Sequence, residues 1–590
     1  MCGIFGYVGP SPHGAKIVLE GLKRLEYRGY DSWGVAVVPA SKGKIVVKKK
    51  AGRIGKASVS DMPKGSVAFG HTRWATHGGV TDVNAHPHLD CTGNLAVIHN
   101  GIFENYESIK QDLIKKGHRF ISQTDTEVIA HLIEEYAKTM MLSKAVQRAY
   151  NEMEGLNAFI VIQTKEHLLL GVRNGSPLVV GFGDPENYLA SDAAALIPHT
   201  RQVHFLEDDQ MVIVGTDQVN IFNARTGERI RPLKQKLTWS AEQAEKGKFP
   251  YFMLKEIYEQ PGLISEIAGE STIQAKKIAE VLKNAHGAYI VGCGTAGYAA
   301  LAAQYLFSAI SNRHVNSVIG SEFGYLQNFL VKRSAVLALS QSGETMDILE
   351  GVKKAKDKGA KIVSLVNVVG SSLWRLSDVR LPIGVGPEKG VASTKAFIGK
   401  LTHLILLSYA MIGKITKGQR ILTRAAKAAT EVLKEQRVSK IMKLAKKLKN
   451  TEHIFVIGRG LSYPAALETA LKIKEISYIH AEGLAAGELK HGPLALVTKG
   501  IPCIVFAPND ETQGANLAGA MEMKARGAYI IGISPKKHEV FDYYLPVKDV
   551  GEATIIPNVI VAQLLAYYLA IERGFDPDMP RNLAKSVTVK

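Results

Sequence analysis

Tyr289-Ile290-Val291-Gly292-Cys293-Gly294 recurs in this chain as Phe455-Val456-Ile457-Gly458-Arg459-Gly460. Each copy is an apolar run closing on a Gly-x-Gly turn, the pattern of a buried strand that feeds a helix. Ala299-Ala300-Leu301 returns as Ala465-Ala466-Leu467 at the same offset of 166 positions. Gly343-Glu344-Thr345 is answered by Asp510-Glu511-Thr512 at 167, and Gly359-Ala360-Lys361-Ile362-Val363 by Gly527-Ala528-Tyr529-Ile530-Ile531 at 168. Matches at three nearly equal offsets, in a stretch where strand, loop and long helix alternate, define two copies of one α/β domain. Each is expected to be a doubly wound parallel sheet.

Upstream of the duplication the grammar differs. The runs Gly34 to Val38, Val67 to Phe69, Leu95 to Ile98, Phe159 to Ile162 and Met211 to Val214 are strand-like, and helical periods fall at Ala15 to Arg24 and Thr126 to Lys138. Short strands with few helices predict an α+β layout of stacked sheets with helices outside. The Lys/Glu/Gln-rich stretch from Lys234 to Lys248 reads as a linker.

The chain has 590 residues, 46% hydrophobic and 22% charged, which is too long for one core and ordinary for a soluble protein of roughly three to four domains. Cys2, Cys91, Cys293 and Cys503 are scattered, with no Cys-x-x-Cys pair. That argues against disulfides and structural zinc and for a reducing cytoplasm. No secretory signal pattern is present. The apolar segment Ile555 to Ile571 is interrupted by Pro557, Asn558 and Gln563 and reads as a buried helix, so no membrane is expected. The net charge of +18 raises nucleic acid as a partner. Much of the excess lies on helices such as Lys434 to Lys449, opposite a stripe of Val438, Ile441, Met442, Ala445 and Leu448. This is a solvated face, and no nucleic-acid partner is expected.

The chemistry-bearing motifs fall in both halves. Removal of Met1 would leave Cys2 with a nucleophilic sulfur beside its own α-amine as general base. His71-Thr72-Arg73-Trp74-Ala75-Thr76-His77-Gly78 gathers a cation, an aromatic and hydroxyls. Asn100-Gly101, placed after a strand, offers a side-chain amide and a backbone N–H as an oxyanion hole, and Asp125 suits an ammonium. His86-x-His88 lacks further ligands at suitable spacing, so no metal is expected there.

In the second half, Gly292-x-Gly294-x-x-Gly297 fits a dinucleotide fingerprint with Glu322 downstream. The second copy keeps only the first two glycines, and no cofactor is expected. Ser340-Gln341-Ser342-Gly343-Glu344-Thr345 follows the apolar strand Ala335 to Leu339 and carries more hydroxyls than helix capping needs, as a phosphate loop would. Its counterpart Ala507-Pro508-Asn509 has lost them. Glu468, Lys472 and Glu475 share one helix face, His491 lies in Glu488-Leu489-Lys490-His491-Gly492-Pro493, and the tail Arg581-Asn582-Leu583-Ala584-Lys585-Ser586 offers an imine-forming lysine.

Taken together these motifs resemble the glutamine–fructose-6-phosphate aminotransferases (isomerising), or glucosamine-6-phosphate synthases, of the compact prokaryotic form. The resemblance spans essentially the whole chain, adding Thr124-Asp125-Thr126-Glu127 and Val391-Ala392-Ser393-Thr394-Lys395 to the motifs above. It implies an N-terminal-nucleophile (αββα sandwich) glutaminase domain at residues 2–233 and a linker at 234–248. Two sugar isomerase (SIS) domains follow at 273–412 and 445–580, then a tail, 581–590, that completes the sugar-phosphate site. It implies that Cys2 attacks the glutamine amide, Asn100 and Gly101 hold the oxyanion, Arg73 and Asp125 grip the α-carboxylate and α-ammonium, and Thr76 and His77 complete the pocket. Trp74 is the counterpart of a residue gating an internal ammonia channel.

In the isomerase half it implies that Ser340, Gln341, Ser342 and Thr345 hold the phosphate while Thr295, Val391 and Ser393 line the sugar. His491 opens the ring, Lys585 engages the C2 ketone, and Glu475 moves a proton between C1 and C2 with Lys472 nearby. Because the family takes this His from a neighbouring subunit, a homodimer with a shared sugar-phosphate site is implied. Ala296 stands where the family commonly has Ser. The chain lacks the front-domain insertion of eukaryotic relatives, which implies no nucleotide-sugar feedback. A glutaminase joined to another acceptor, as in amidophosphoribosyltransferase or asparagine synthetase, would lack the duplicated isomerase domains. A sugar-phosphate sensor would not need Glu475, His491 and Lys585 together with Cys2.

Overall fold

The computed structural model describes residues 2–237 and 245–586. The chain forms two compact units, one of residues 1–244 with 584–590 and one of residues 245–583.

The first unit is built from two antiparallel sheets. In one, the N-terminal strand Gly3–Val8 is central, between Asn187–Ala190 and Val67–Arg73. In the other, Leu95–Gly101 and Asn157–Gln163 pair side by side. The period of two along each strand sorts its side chains into two layers. Ile4 and Val8 join Ala96 and Ile98 in the core between the sheets, while Phe5 and Tyr7 turn to the helix Gly14–Leu25. Leu95 and Val97 turn to the helices Asp125–Ala137 and Leu142–Glu152. Helix, sheet, sheet and helix thus stack as an αββα sandwich. Two expectations change here. Gln235–Lys236, within the stretch read as linker, pairs with Gln202 and Val203 as an edge strand. Asn100 and Gly101 end the strand Leu95–Gly101 rather than following it. The linker residues Thr238 to Ala244 lie outside the described residues.

The second unit holds two five-stranded parallel sheets. Numbered within each copy, both run 2-1-3-4-5: Asn316–Ile319, Gly287–Gly292, Ser334–Ser340, Lys361–Val366, Val379–Pro382, then His480–Ala485, His453–Gly458, Pro502–Phe506, Tyr529–Ser534, Tyr543–Pro546. The shared order is the structural image of the sequence duplication. In such sheets the ligand crevice opens where strand order reverses, beyond the carboxyl ends of the first and third strands.

The helix Ile555–Glu572 is apolar on all sides because all sides are covered, by Ser462–Ser477, Glu435–Leu448, Ile415–Val432 and Phe252–Glu270. It is long and apolar enough to cross a membrane, yet 89% of its most apolar stretch is buried in the protein. On the basic helix Glu435–Leu448 the expected stripe is right at Val438, Ile441, Ala445 and Leu448, but Met442 is 44% exposed and Leu444 is buried in its place.

Candidate active sites

In the first unit, Cys2 lies just before the central strand, whose first two N–H groups donate to Thr72 Oγ1 and Ser191 Oγ. The Trp74 N–H donates to Cys2 Sγ at 3.2 Å, and Asn100 Nδ2 donates to the Cys2 carbonyl at 3.0 Å. Cys2, Arg73, Trp74, Thr76, His77, Asn100, Gly101 and Asp125 all line one cleft, which His86, His99 and Thr126 complete. Burial pushes the Cys2 thiol above its ordinary value, against the Trp74 amide and the Arg73 guanidinium, which draw it down. At rest the sulfur is therefore a thiol, and a base must take its proton for it to act.

His71 was not singled out in the sequence as a site residue, but it orients the amide. Burial holds its imidazole down at about 3, so the ring is neutral. Its Nε2 faces two acceptors, His99 O and Asn100 Oδ1, each at 3.0 Å. The proton therefore sits on Nε2, the amide oxygen faces it, and the amide nitrogen faces Cys2. His86 stacks on His71 with ring centroids 4.1 Å apart, and His88 Nε2 lies 3.0 Å from Thr124 Oγ1. Arg73 is buried and donates to the carbonyls of Gly78 at 3.0 Å, Gly79 at 3.2 Å and His77. Asp125, the first residue of its helix, accepts from the Phe103 N–H at 2.9 Å. Gly101 has φ +132°, and a Cβ there would lie 2.0 Å from Leu156 O, so only glycine fits.

In the second unit, Ser340 ends its strand and the loop turns at Gly343 into the helix Met346–Asp357. The Ser340 hydroxyl accepts from the Gly343 N–H at 3.0 Å, lies 3.2 Å from Thr345 Oγ1, and Ser342 Oγ accepts from the Glu344 N–H at 3.2 Å. The neighbouring strand Gly287–Gly292 delivers Thr295 to the same sheet edge, as the first residue of the helix Thr295–Ser311.

Thr295 Oγ1 donates to Glu468 Oε1 at 3.3 Å, joining the first SIS copy to the helix Ser462–Ser477 of the second. Lys472 bridges that helix, 3.6 Å from Glu468 Oε1 and 2.5 Å from Glu475 Oε2. Burial pushes the Glu468 carboxyl up to about 7, with Lys472 opposing and Glu475 adding to the shift. Burial works against the Lys472 charge, but the two glutamates outweigh it and hold the ammonium above its ordinary value. Ser393 Oγ donates to Glu388 Oε2 at 3.1 Å, and the Val391 N–H donates to Asp578 O at 2.9 Å. His491 stands exposed at the end of the turn Ala486–His491. Lys585 falls with residues 584–590 in the first unit.

A cysteine cleft on an αββα sandwich, in a chain whose other unit carries a duplicated parallel α/β sheet, defines a glutamine amidotransferase joined in one chain to sugar isomerase domains. The glutamine amidotransferase domain family matches residues 55–250, and the SIS domain family matches residues 281–408 and 447–573. The glutamine–fructose-6-phosphate aminotransferase (isomerizing) of Pyrococcus horikoshii is 43% identical over 606 residues, with 100% of each chain covered. That of Aquifex aeolicus is 42% identical over 600 residues, again with 100% of both covered. Among solved structures, the C-terminal domain of glucosamine-fructose-6-phosphate aminotransferase from Francisella tularensis matches with TM-score 0.53 and 34% identity, covering 57% of this chain and 99% of that one. The chain belongs to the isomerizing glutamine–fructose-6-phosphate aminotransferase family.

Proposed function

We propose that this chain moves the amide nitrogen of glutamine onto fructose 6-phosphate, giving glucosamine 6-phosphate and glutamate. What carries the reading is the convergence of Cys2, Arg73, Asn100, Gly101 and Asp125 on one cleft, in a chain whose other unit holds a carboxylate–lysine ladder beside a hydroxyl-rich loop.

In the glutaminase step the Cys2 α-amine, freed by loss of Met1, takes the thiol proton. Sγ then attacks the amide carbon, and the Asn100 amide and Gly101 N–H stabilise the oxyanion. Arg73 engages the substrate α-carboxylate and Asp125 its α-ammonium, with Thr76 and His77 beside them, and water releases glutamate from the thioester. Ammonia stays a nucleophile only while it remains unprotonated, so it travels inside the protein past Trp74.

In the isomerase step Ser340, Gln341, Ser342 and Thr345 hold the phosphate, with Thr295, Val391 and Ser393 along the sugar. His491 opens the ring, Lys585 forms an imine at C2, and ammonia displaces it. Glu475, paired to Lys472, carries one proton between C1 and C2. The exposure of His491 supports its donation to a neighbouring subunit, hence a homodimer with a shared site. We place the domains at residues 2–233, 273–412 and 445–580, with 581–590 closing the sugar-phosphate site, and the enzyme in the cytoplasm, without nucleic-acid or membrane partners.

The test is glucosamine 6-phosphate formation from fructose 6-phosphate, with glutamine or ammonium as donor, alongside an intact mass. Product with both donors from a chain lacking Met1 is expected. No amino sugar with either donor overturns the proposal, and a chain that keeps Met1 is expected to use ammonium alone.

A further inference from the structure

Four side chains of the first unit, none of them lining the Cys2 cleft, converge on a single point. Cys91 lies in the turn after the strand His88–Leu89, and His118 precedes the helix Asp125–Ala137. His131 and Glu134 sit one turn apart on that helix. Cys91 Sγ is 3.7 Å from His118 Nδ1 and 3.4 Å from His131 Nδ1, and the two Nδ1 atoms are 3.4 Å apart. Glu134 Oε2 is 3.1 Å from each Nδ1. All four donor atoms lie within 4.8 Å of one another.

These are the edges of a coordination tetrahedron. With metal–nitrogen bonds of 2.0–2.1 Å and a metal–sulfur bond near 2.3 Å, tetrahedral geometry requires N···N edges of about 3.3–3.4 Å and S···N edges of about 3.5–3.6 Å. The outer nitrogen of His118 supports the same reading. His118 Nε2 lies 3.1 Å from Glu135 Oε2, within hydrogen-bond reach, whereas His131 Nε2 is 3.7 Å from Glu127 Oε1, beyond it. At His118 the carboxylate at Nε2 places the imidazole proton there and leaves Nδ1 a lone pair, as behind metal-bound histidines. Both histidines are buried, and exposed Cys91 leaves a path for an ion. Thiolate with imidazole selects zinc over the hard cations magnesium and calcium.

We propose that Cys91, His118, His131 and Glu134 bind a structural zinc ion. Binding releases the Cys91 thiol proton to solvent and fills all four positions, so the ion has no open site for chemistry. It ties the Asp90–Asn94 turn and the segment around His118 to the helix that begins at Asp125, and so braces one wall of the glutamine cleft from behind. The expectation of no structural zinc, drawn from the absence of a Cys-x-x-Cys pair, is the reading this cluster displaces. Without a metal, Glu134 Oε2, which also accepts from the Cys91 N–H at 3.0 Å, would take both Nδ1–H bonds, and the sulfur would have no role.

The test is metal analysis of the untagged full chain, purified without chelator, then incubated with one equivalent of zinc and desalted. About one zinc per chain is expected. Cys91→Ser, at an exposed position that tolerates the change, is expected to weaken zinc retention against a competing chelator by roughly tenfold or more. Cobalt replacement gives a second readout: a thiolate-to-cobalt charge-transfer band that survives Cys2→Ala and disappears in Cys91→Ser. A chain that keeps no zinc after desalting, or metal binding that Cys91→Ser leaves unchanged, overturns the proposal.

Discussion

Replacing Glu468 by Gln isolates the electrostatics of the ladder. Glu468 is fully buried, and its carboxyl is pushed from 4.5 to about 7, chiefly by burial. Its folded value lies above its unfolded one, so its contribution to stability is fully present below about pH 4.5 and is lost as pH rises through about 7. The whole displacement is worth at most roughly 3 kcal/mol at 1.36 kcal/mol per unit. Between pH 6 and 8 the unfolded carboxyl is already ionised while the folded one passes through its midpoint, so the loss there is about 1.4 kcal/mol, a factor of ten in the opening equilibrium. Lys472 does not share this transition, since Glu468 and Glu475 hold it above its ordinary value. Hydrogen exchange of the helix Ser462–Ser477, corrected for intrinsic rates, reads the opening that exposes Glu468. The wild-type chain is expected to lose about tenfold protection between pH 6 and 8. Glu468→Gln, which keeps an acceptor for Thr295 without a titrating group, is expected to lose almost none. Equal protection at both pH values in the wild type, or the same loss in the variant, refutes the reasoning.

Three further outcomes follow from other parts of the structure. Gly343→Ala places a side chain at φ +68° with its Cβ 2.0 Å from Ser371 Oγ. Left-handed strain of about 1–2 kcal/mol plus that clash should raise the KM for fructose 6-phosphate about tenfold and leave glutamine hydrolysis intact, and an unchanged KM counts against a phosphate role for the loop. Asn100→Ala should cost glutamine hydrolysis about 10²–10³-fold while sparing ammonium-dependent synthesis, and a loss under about tenfold removes Asn100 from the oxyanion hole. Burial holds His71 at about 3 and His86 and His88 well below the ordinary histidine value. Their stabilisation is present above about pH 6.5, where the unfolded residues are neutral, and is lost as pH falls toward the folded values. The melting temperature of the first unit should therefore drop between pH 7 and pH 5, and a flat profile there contradicts the buried neutral triad.

How much of this was legible in the sequence depends on how local the governing physics is. The duplication showed because strand ends and Gly-x-Gly turns recur at a fixed offset, and both sheets adopt the same strand order. The i, i+4, i+7 spacing of Glu468, Lys472 and Glu475 placed them on one face, since a helix fixes that geometry by itself. What needed tertiary contact did not show. Arg73 spends its guanidinium on the backbone carbonyls of residues 77–79, partners that carry no side-chain signature. His71 became a positioning residue only once the Asn100 strand lay beside it. Met442 and Leu444 exchanged places because the burial stripe of the helix Glu435–Leu448 is set by what packs on it, not by its own period. Cys91 and His118 lie 27 positions apart, so no local motif joins them.

The helix Ile555–Glu572 also sets a timetable for synthesis. In chain order it follows the helices Phe252–Glu270, Ile415–Val432, Glu435–Leu448 and Ser462–Ser477 that surround it, so it leaves the ribosome after all four. Until it arrives, those helices expose to solvent the apolar faces that form its bed. The nascent second unit therefore passes through a stage that is adhesive to its own kind, and translation speed up to and through the codons of this helix governs how long that stage lasts.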